Sequence, residues 1–334
     1  MEELNILANG ISGLKVHGSD AAHVLRVFLL QVTTDMPAGD KLINANGSNG
    51  MSPSRFRPLF GWWSAQHRHY YFPDLHPVTG EVLFTLQDAA AELRTIETIT
   101  AAVEEIEEAR RQKRTKAHVE DLCRKAGFKG YSLLLCPSQR HRAMYPNMEY
   151  FWGLGPRVAP YDVMHLILLN VVPNLWRLFS GKWKTSDGSA HQWAMSEAIV
   201  TAVGVDVAAA RATVPLQQAR SLRNIALHYK SYKAVDWMFF ILCTGPAVLA
   251  GRIPDEAYAM FMCLVRACRV VFAPLGQTKE DIDNMDKELR EFCRLFYLKA
   301  HGNDINNITL CRSTIVGLLD IKRNIMACGP TWSY

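Results

Sequence analysis

The side chains in this sequence whose types and spacing could do chemistry are two aspartates, one histidine and two basic clusters. Asp162 and His165 stand three residues apart at the head of the apolar run 163–179. A helix there would place both on one face. Two readings fit that spacing: a carboxylate–imidazole pair at a site, or Asp162 as the N-cap of a helix from Val163 with His165 hydrogen-bonded in its first turn. Asp35 follows an apolar, partly β-branched stretch and precedes Met36-Pro37. It reads either as the acid of a strand-ending turn or as a ligand for a hard cation, which takes oxygen donors.

Arg220, Arg223, His228, Lys230 and Lys233 are interleaved with Tyr229 and Tyr232. Cations beside aromatic rings suit a nucleic-acid backbone with stacked bases; the plainer reading is a surface helix and loop ahead of a buried helix at Val235. The run Arg110-Arg111-Gln112-Lys113-Arg114-Thr115-Lys116 could be a nuclear import signal or a phosphate-contacting patch. A solvated helix end fits it better, because cations suit a helix C-terminus. Glu104, Glu105, Glu107 and Glu108 also offset its charge. Phe60, Trp62, Trp63, Tyr70, Tyr71 and Phe72 read as packing within a long loop, and Asn170 as a structural hydrogen-bonding residue on an apolar face.

The elements that must position these groups are mostly helices. With 334 residues, 49% of them hydrophobic, 21% charged, and a net charge of +5, the chain has the balance of a mildly basic globular protein. None of the eight cysteines falls in a CxxC or a Cys/His cluster with zinc spacing, so free, mostly buried thiols in a reducing compartment are expected. The first residues lack the basic-then-apolar pattern of a signal peptide. The most apolar runs, 235–251 and 260–272, are interrupted by charge or by Gly245-Pro246 and read as buried helices, with no membrane partner implied.

A buried strand is expected over 27–34 and mostly loop over 39–84. Leu93, Ile96, Ile99, Val103 and Ile106 recur at three- and four-residue steps, predicting a helix from about 86–88 to 113. A shorter helix over 118–126 should end at Gly127. Residues 128–160 read as loop. Beyond the run at 163–179, helices are expected over 191–203, 205–212, 215–227, 233–250, 254–273, 278–299 and 310–327. A strand first and helices after argue for an α+β chain that is mainly α.

Three stretches taken together resemble the CACTA-type (En/Spm-like) DNA transposases of the branch common in fungi. VFLLQVTTDMPAGDKL, residues 27–42, looks like the strand and turn that carry that family's second catalytic aspartate. PYDVMHLILLNVVPNLWRLFSG, residues 160–181, is similar to its Asp-x-Met-His-Leu…Asn-Val block. RSLRNIALHYKSYKAVDWMFFIL, residues 220–242, continuing through RIPDEAYAMFMCLVRACRVVF, is similar to a third, and the closing CRSTIVGLLDIKRNIMACGPTW also fits. The resemblance implies a partial ribonuclease-H-like core with a large helical insertion. It implies DNA strand transfer in which three carboxylates hold two Mg²⁺ ions. Asp35 corresponds to the second acid and would be the metal ligand; Asp162 and His165 correspond to the family's Asp-x-x-His pair.

The departures bear on activity. The first and third acids are expected to lie upstream of Met1 and beyond Tyr334, and Ser54-Arg55-Phe56-Arg57 stands where the family has a CxxC. The sequence therefore leads to a truncated, transposase-derived chain without catalysis, needing no cofactor, either a relic or a weak DNA binder through Arg220, Arg223, Lys230 and Lys233, with a nuclear or otherwise cytoplasmic location. The alternatives are a recruited DNA- or protein-interaction protein, and an active strand-transferase whose missing acids come from elsewhere. The expected division is a core remnant over 1–60, a connecting region over 61–159 and a helical body over 160–334.

Overall fold

The computed structural model describes residues 11–15, 22–25, 35–86, 93–144, 155–213, 223–274 and 277–329. The protein is α+β and mainly α. It divides into two compact units, Met1–Pro58 with Leu93–Pro160, and Leu59–Glu92 with Tyr161–Tyr334. The region 61–159 is thus shared between the two.

In the first unit, β1 (Ile11–Lys15) and β2 (Ala22–Leu25) pair antiparallel, with Leu14 opposite His23. The strand expected over 27–34 lies outside the described residues. A short helix, α1 (Met36–Leu42), follows. The long helix α2 (Ile96–Arg111) starts some eight to ten residues later than its apolar spacing suggests. The cause is local: the Thr98 N–H donates to Thr95 Oγ1 (3.3 Å) and the Thr95 N–H to Thr98 Oγ1 (2.9 Å), a reciprocal cap that fixes the first turn there. Ile99, Val103 and Ile106 then line its buried face. Helix α3 (Lys116–Ala126) ends at Gly127, whose φ of +80° is open to glycine; a Cβ there would also lie 2.6 Å from the Ser52 carbonyl oxygen. Helix α4 (Gln139–Met144) lies in the stretch read as loop. The core gathers Ile43, Phe128, Leu135 and Val158 around α2.

Two arginines brace this unit. Arg55 is 1% exposed; its Nε donates to Asp40 Oδ1 at 2.8 Å, and its Nη1 to the carbonyls of Ala159 (2.9 Å) and Pro160 (3.1 Å). Arg94 donates to the Arg57 carbonyl (3.0 Å), the Ala126 carbonyl and Ser52 Oγ. The segment Ser54–Arg57, which lacks the expected cysteines, is therefore held by buried guanidinium hydrogen bonds.

In the second unit the aromatic stretch is more than a loop. β3 (Trp62–Ser64) and β4 (His69–Tyr71) form a hairpin with Trp62 opposite Tyr71, tied down by Phe72 N–H to the Cys311 carbonyl (2.7 Å) and by Tyr297 Oη–H to the Phe72 carbonyl (3.0 Å). Residues 163–179 are helical throughout: a wide π-type stretch, Met164–Val171, runs into α5 (Val172–Phe179). The helices expected over 191–203 and 205–212 are one, α6 (Glu197–Ala209), capped by Ser196. Of the helix expected over 215–227, the described part is the short α7 (Ile225–His228).

Residues 233–250 fold as α8 (Ala234–Phe239), a π-type turn and α9 (Gly245–Leu249). Helices α10 (Asp255–Val271) and α11 (Lys279–Leu295) pack together, with Phe261, Leu264 and Cys268 of the first and Leu289 and Phe292 of the second buried, and Arg266 bridging to both carboxylate oxygens of Glu288. The final helix is broken rather than continuous: a 3-10 turn over 305–310, then α12 (Ser313–Gly317), a second 3-10 turn and α13 (Ile321–Cys328). All eight cysteines are free and five are buried. Among the described residues no helix is long and apolar enough to cross a membrane.

Candidate functional site

The apolar run after Asp162 drives residues 163–179 into the core, and Asp162 stands where that helix leaves it. Its carbonyl accepts from the Leu166 N–H at 2.9 Å, and its Oδ1 accepts from the His165 N–H at 3.0 Å. Its Oδ2 lies 2.6 Å from His165 Nδ1. A carboxylate only accepts, so Nδ1 donates in this contact, and in the neutral ring Nε2 is the acceptor. Asn170 fixes the turn from the other side, its Nδ2 donating to the His165 carbonyl at 2.8 Å.

The His165 and Asp162 side chains are 35% and 25% exposed, so the ring is held yet reachable from solvent. One carboxylate serves both contacts: Asp162 caps the helix through Oδ1 and meets the imidazole through Oδ2. An imidazole so oriented can take up or release a proton at Nε2. The π-type stretch that carries it is a helix form often found at functional sites.

Asp35 is exposed and caps α1: its Oδ1 accepts from the Ala38 N–H at 2.8 Å, with Pro37 in the first helical turn. Among the described residues no three His, Cys, Asp or Glu side chains come together in a group that could hold a metal ion.

Of the basic group, Arg220 lies outside the described residues. Arg223 is turned inward on its own segment. Its Nη2 donates to the Ser231 carbonyl at 2.8 Å and lies 3.9 Å from Asp236 Oδ2, and its guanidinium sits 5.9 Å from the Tyr232 ring centre. Burial beside Asp236 pushes the Tyr232 hydroxyl far above its ordinary pKa. Lys230 and Lys233 are exposed and make no ion pair among the described residues. The acidic and basic residues at the end of α2 neutralise each other, Arg110 with Glu107 and Arg111 with Glu108, as a solvated helix end would.

Sequence reasoning missed a cationic cluster on Trp183, formed by Arg177 and Arg312, because its members are far apart in the chain. The tryptophan between two lysines, Lys182 and Lys184, was its one local signal. No family model, curated protein or solved structure matches this chain.

Proposed function

We propose that this chain derives from a CACTA-type transposase and acts by binding DNA, with no strand-transfer activity of its own. On this reading its N-terminal part comes from a ribonuclease-H-like core, its helical body from the family's insertion, and its place is the nucleus. The observation that carries the binding reading is the exposed pair Lys230 and Lys233, unneutralised among the described residues, in the block that resembles the family. Exposed cations of this kind gain affinity by releasing counterions from DNA. The reading of inactivity rests on Asp35: one of its carboxylate oxygens caps a helix, and two-ion strand transfer needs three such acids.

A second reading, a DNA-cleaving enzyme, is favoured by one feature, the Asp162–His165 pair with its accessible Nε2. A mobility-shift titration with generic duplex DNA, run beside a Mg²⁺-dependent nicking assay, separates the two. The proposal expects a shift without nicking. Nicking that disappears in His165→Ala replaces it with the second reading, and absence of any shift removes DNA as the partner.

A further inference from the structure

Trp183 is buried to 6% exposure on the loop after α5, and its indole N–H donates to Thr309 Oγ1 at 3.0 Å. Two guanidinium groups meet its ring, Arg177 at 4.6 Å and Arg312 at 5.7 Å from the ring centre. Arg312 also covers the Tyr71 ring at 5.2 Å. Like charges do not gather without a reason: stacking on aromatic faces supplies part of it, but no carboxylate among the described residues neutralises them. Among the described residues neither Arg177 nor Arg312 makes an ion pair, nor do the exposed Lys182 and Lys184 on either side of Trp183. The nearest acid along this loop, Asp187, is engaged by Thr185 and Ser189.

Arg312 is also aimed. Its Nε donates to the Thr309 carbonyl at 3.0 Å and its Nη1 to His69 Nε2 at 2.9 Å. Accepting that hydrogen bond requires a neutral His69, and burial, with the charge of Arg312 beside it, holds the His69 pKa below its ordinary value. Among the described residues the remaining Nη2 makes no hydrogen bond and is not sealed from solvent. Arg177 is only half-buried and holds one long hydrogen bond, 3.4 Å to Asn174. The cleft beside Arg312 and Trp183, also bordered by Asn174 and Thr314, has a volume of about 20 Å³. That is room for a single water, too little for an organic ligand, so a partner must present its charge from outside.

We propose that Arg177 and Arg312, set on the Trp183 ring, form a binding site for a phosphate group. Guanidinium forks match phosphate oxygens in geometry as well as charge. His69 and Thr309 are positioning groups that orient Arg312. If the chain binds DNA as proposed above, the phosphate is one of the duplex backbone; that part alone rests on the earlier reading. A free phosphate ligand is the other source of the same chemistry.

The test is calorimetric titration of the full chain with pyrophosphate, beside a mobility shift with generic duplex DNA, for the native chain, Arg177→Gln and Arg312→Gln. The site predicts that each substitution weakens pyrophosphate by about tenfold or more, as expected on losing a hydrogen bond to a charged group. Should Arg312→Gln unfold, Arg177→Gln decides, because its side chain holds nothing but Asn174 and the indole face. Equal weakening of DNA assigns the phosphate to the duplex. Weakened pyrophosphate with unchanged DNA keeps the site and gives it to a free phosphate ligand. Pyrophosphate that does not bind the native chain, or that binds both variants as well as the native chain, overturns the proposal.

Discussion

His301 allows the most direct energetic prediction. It ends a π-type turn, is 1% exposed, and neither ring nitrogen makes a hydrogen bond among the described residues; Asp74 Oδ1 lies 4.0 Å from Nδ1. Burial pushes its pKa down to about 4, against the weaker opposing pull of Asp304. In the unfolded chain the ring titrates near ~6.5. A depressed pKa means the unfolded state binds the extra proton first. The stability is therefore fully present above about 6.5 and is lost as pH falls towards about 4. Linkage gives a loss of about 2 kcal/mol between pH 7 and pH 5 from this one residue.

The assay is urea unfolding at both pH values for the native chain and His301→Leu, which has a similar volume and no titrating group. His191 is also buried with a lowered pKa, but it stays in both proteins and cancels. The variant should show a pH 7 to pH 5 loss smaller by about 2 kcal/mol. An identical pH slope in the two proteins would refute the reasoning.

The remaining predictions concern bracing, capping and the basic surface. Arg55→Met should destabilise the first unit by about 3–5 kcal/mol, because it strands Asp40 without its buried partner; the double variant with Asp40→Leu should recover part of that loss in chemical denaturation. Gly127→Ala should cost about 1–2 kcal/mol or more, from a left-handed φ and the Ser52 carbonyl in the way. Asp162→Ala should cost about 1 kcal/mol as a lost cap, read by chemical denaturation. Replacing Lys230 and Lys233 by Gln should leave unfolding within about 0.5 kcal/mol of native while weakening the DNA mobility shift.

The sequence made the outline legible where a helix is both amphipathic and capped. Thr115 and Gly127 bound one helix, and the apolar runs ending at Gly251 and Phe272 bound two more. It failed where tertiary context decides. Leu93 continues the apolar spacing of α2, yet the Thr95–Thr98 cap starts the helix after it and leaves Leu93 at 36% exposure. A hairpin of three-residue strands carries too little alternation to be seen among aromatics. π-type widening has no residue signature, so the turns at 164–171, 240–244 and 296–301 read as ordinary helix. Buried arginine is rare enough that nothing in Ser54-Arg55-Phe56-Arg57 pointed to Arg55 as a brace. The Asp162–His165 contact was legible because both residues lie within one helical turn. The Arg177–Trp183–Arg312 cluster was not, because it forms only when the chain after Leu310 folds back onto the loop following α5.

DNA binding as the chain's function is tested most directly by the affinity of the native protein for a generic duplex measured across a salt series. The account predicts that log K falls linearly with log salt, with a slope of about −0.9 for each phosphate contacted, and that Lys230→Gln with Lys233→Gln makes the slope shallower. Affinity that is absent at low salt, or that does not change with salt, would contradict it.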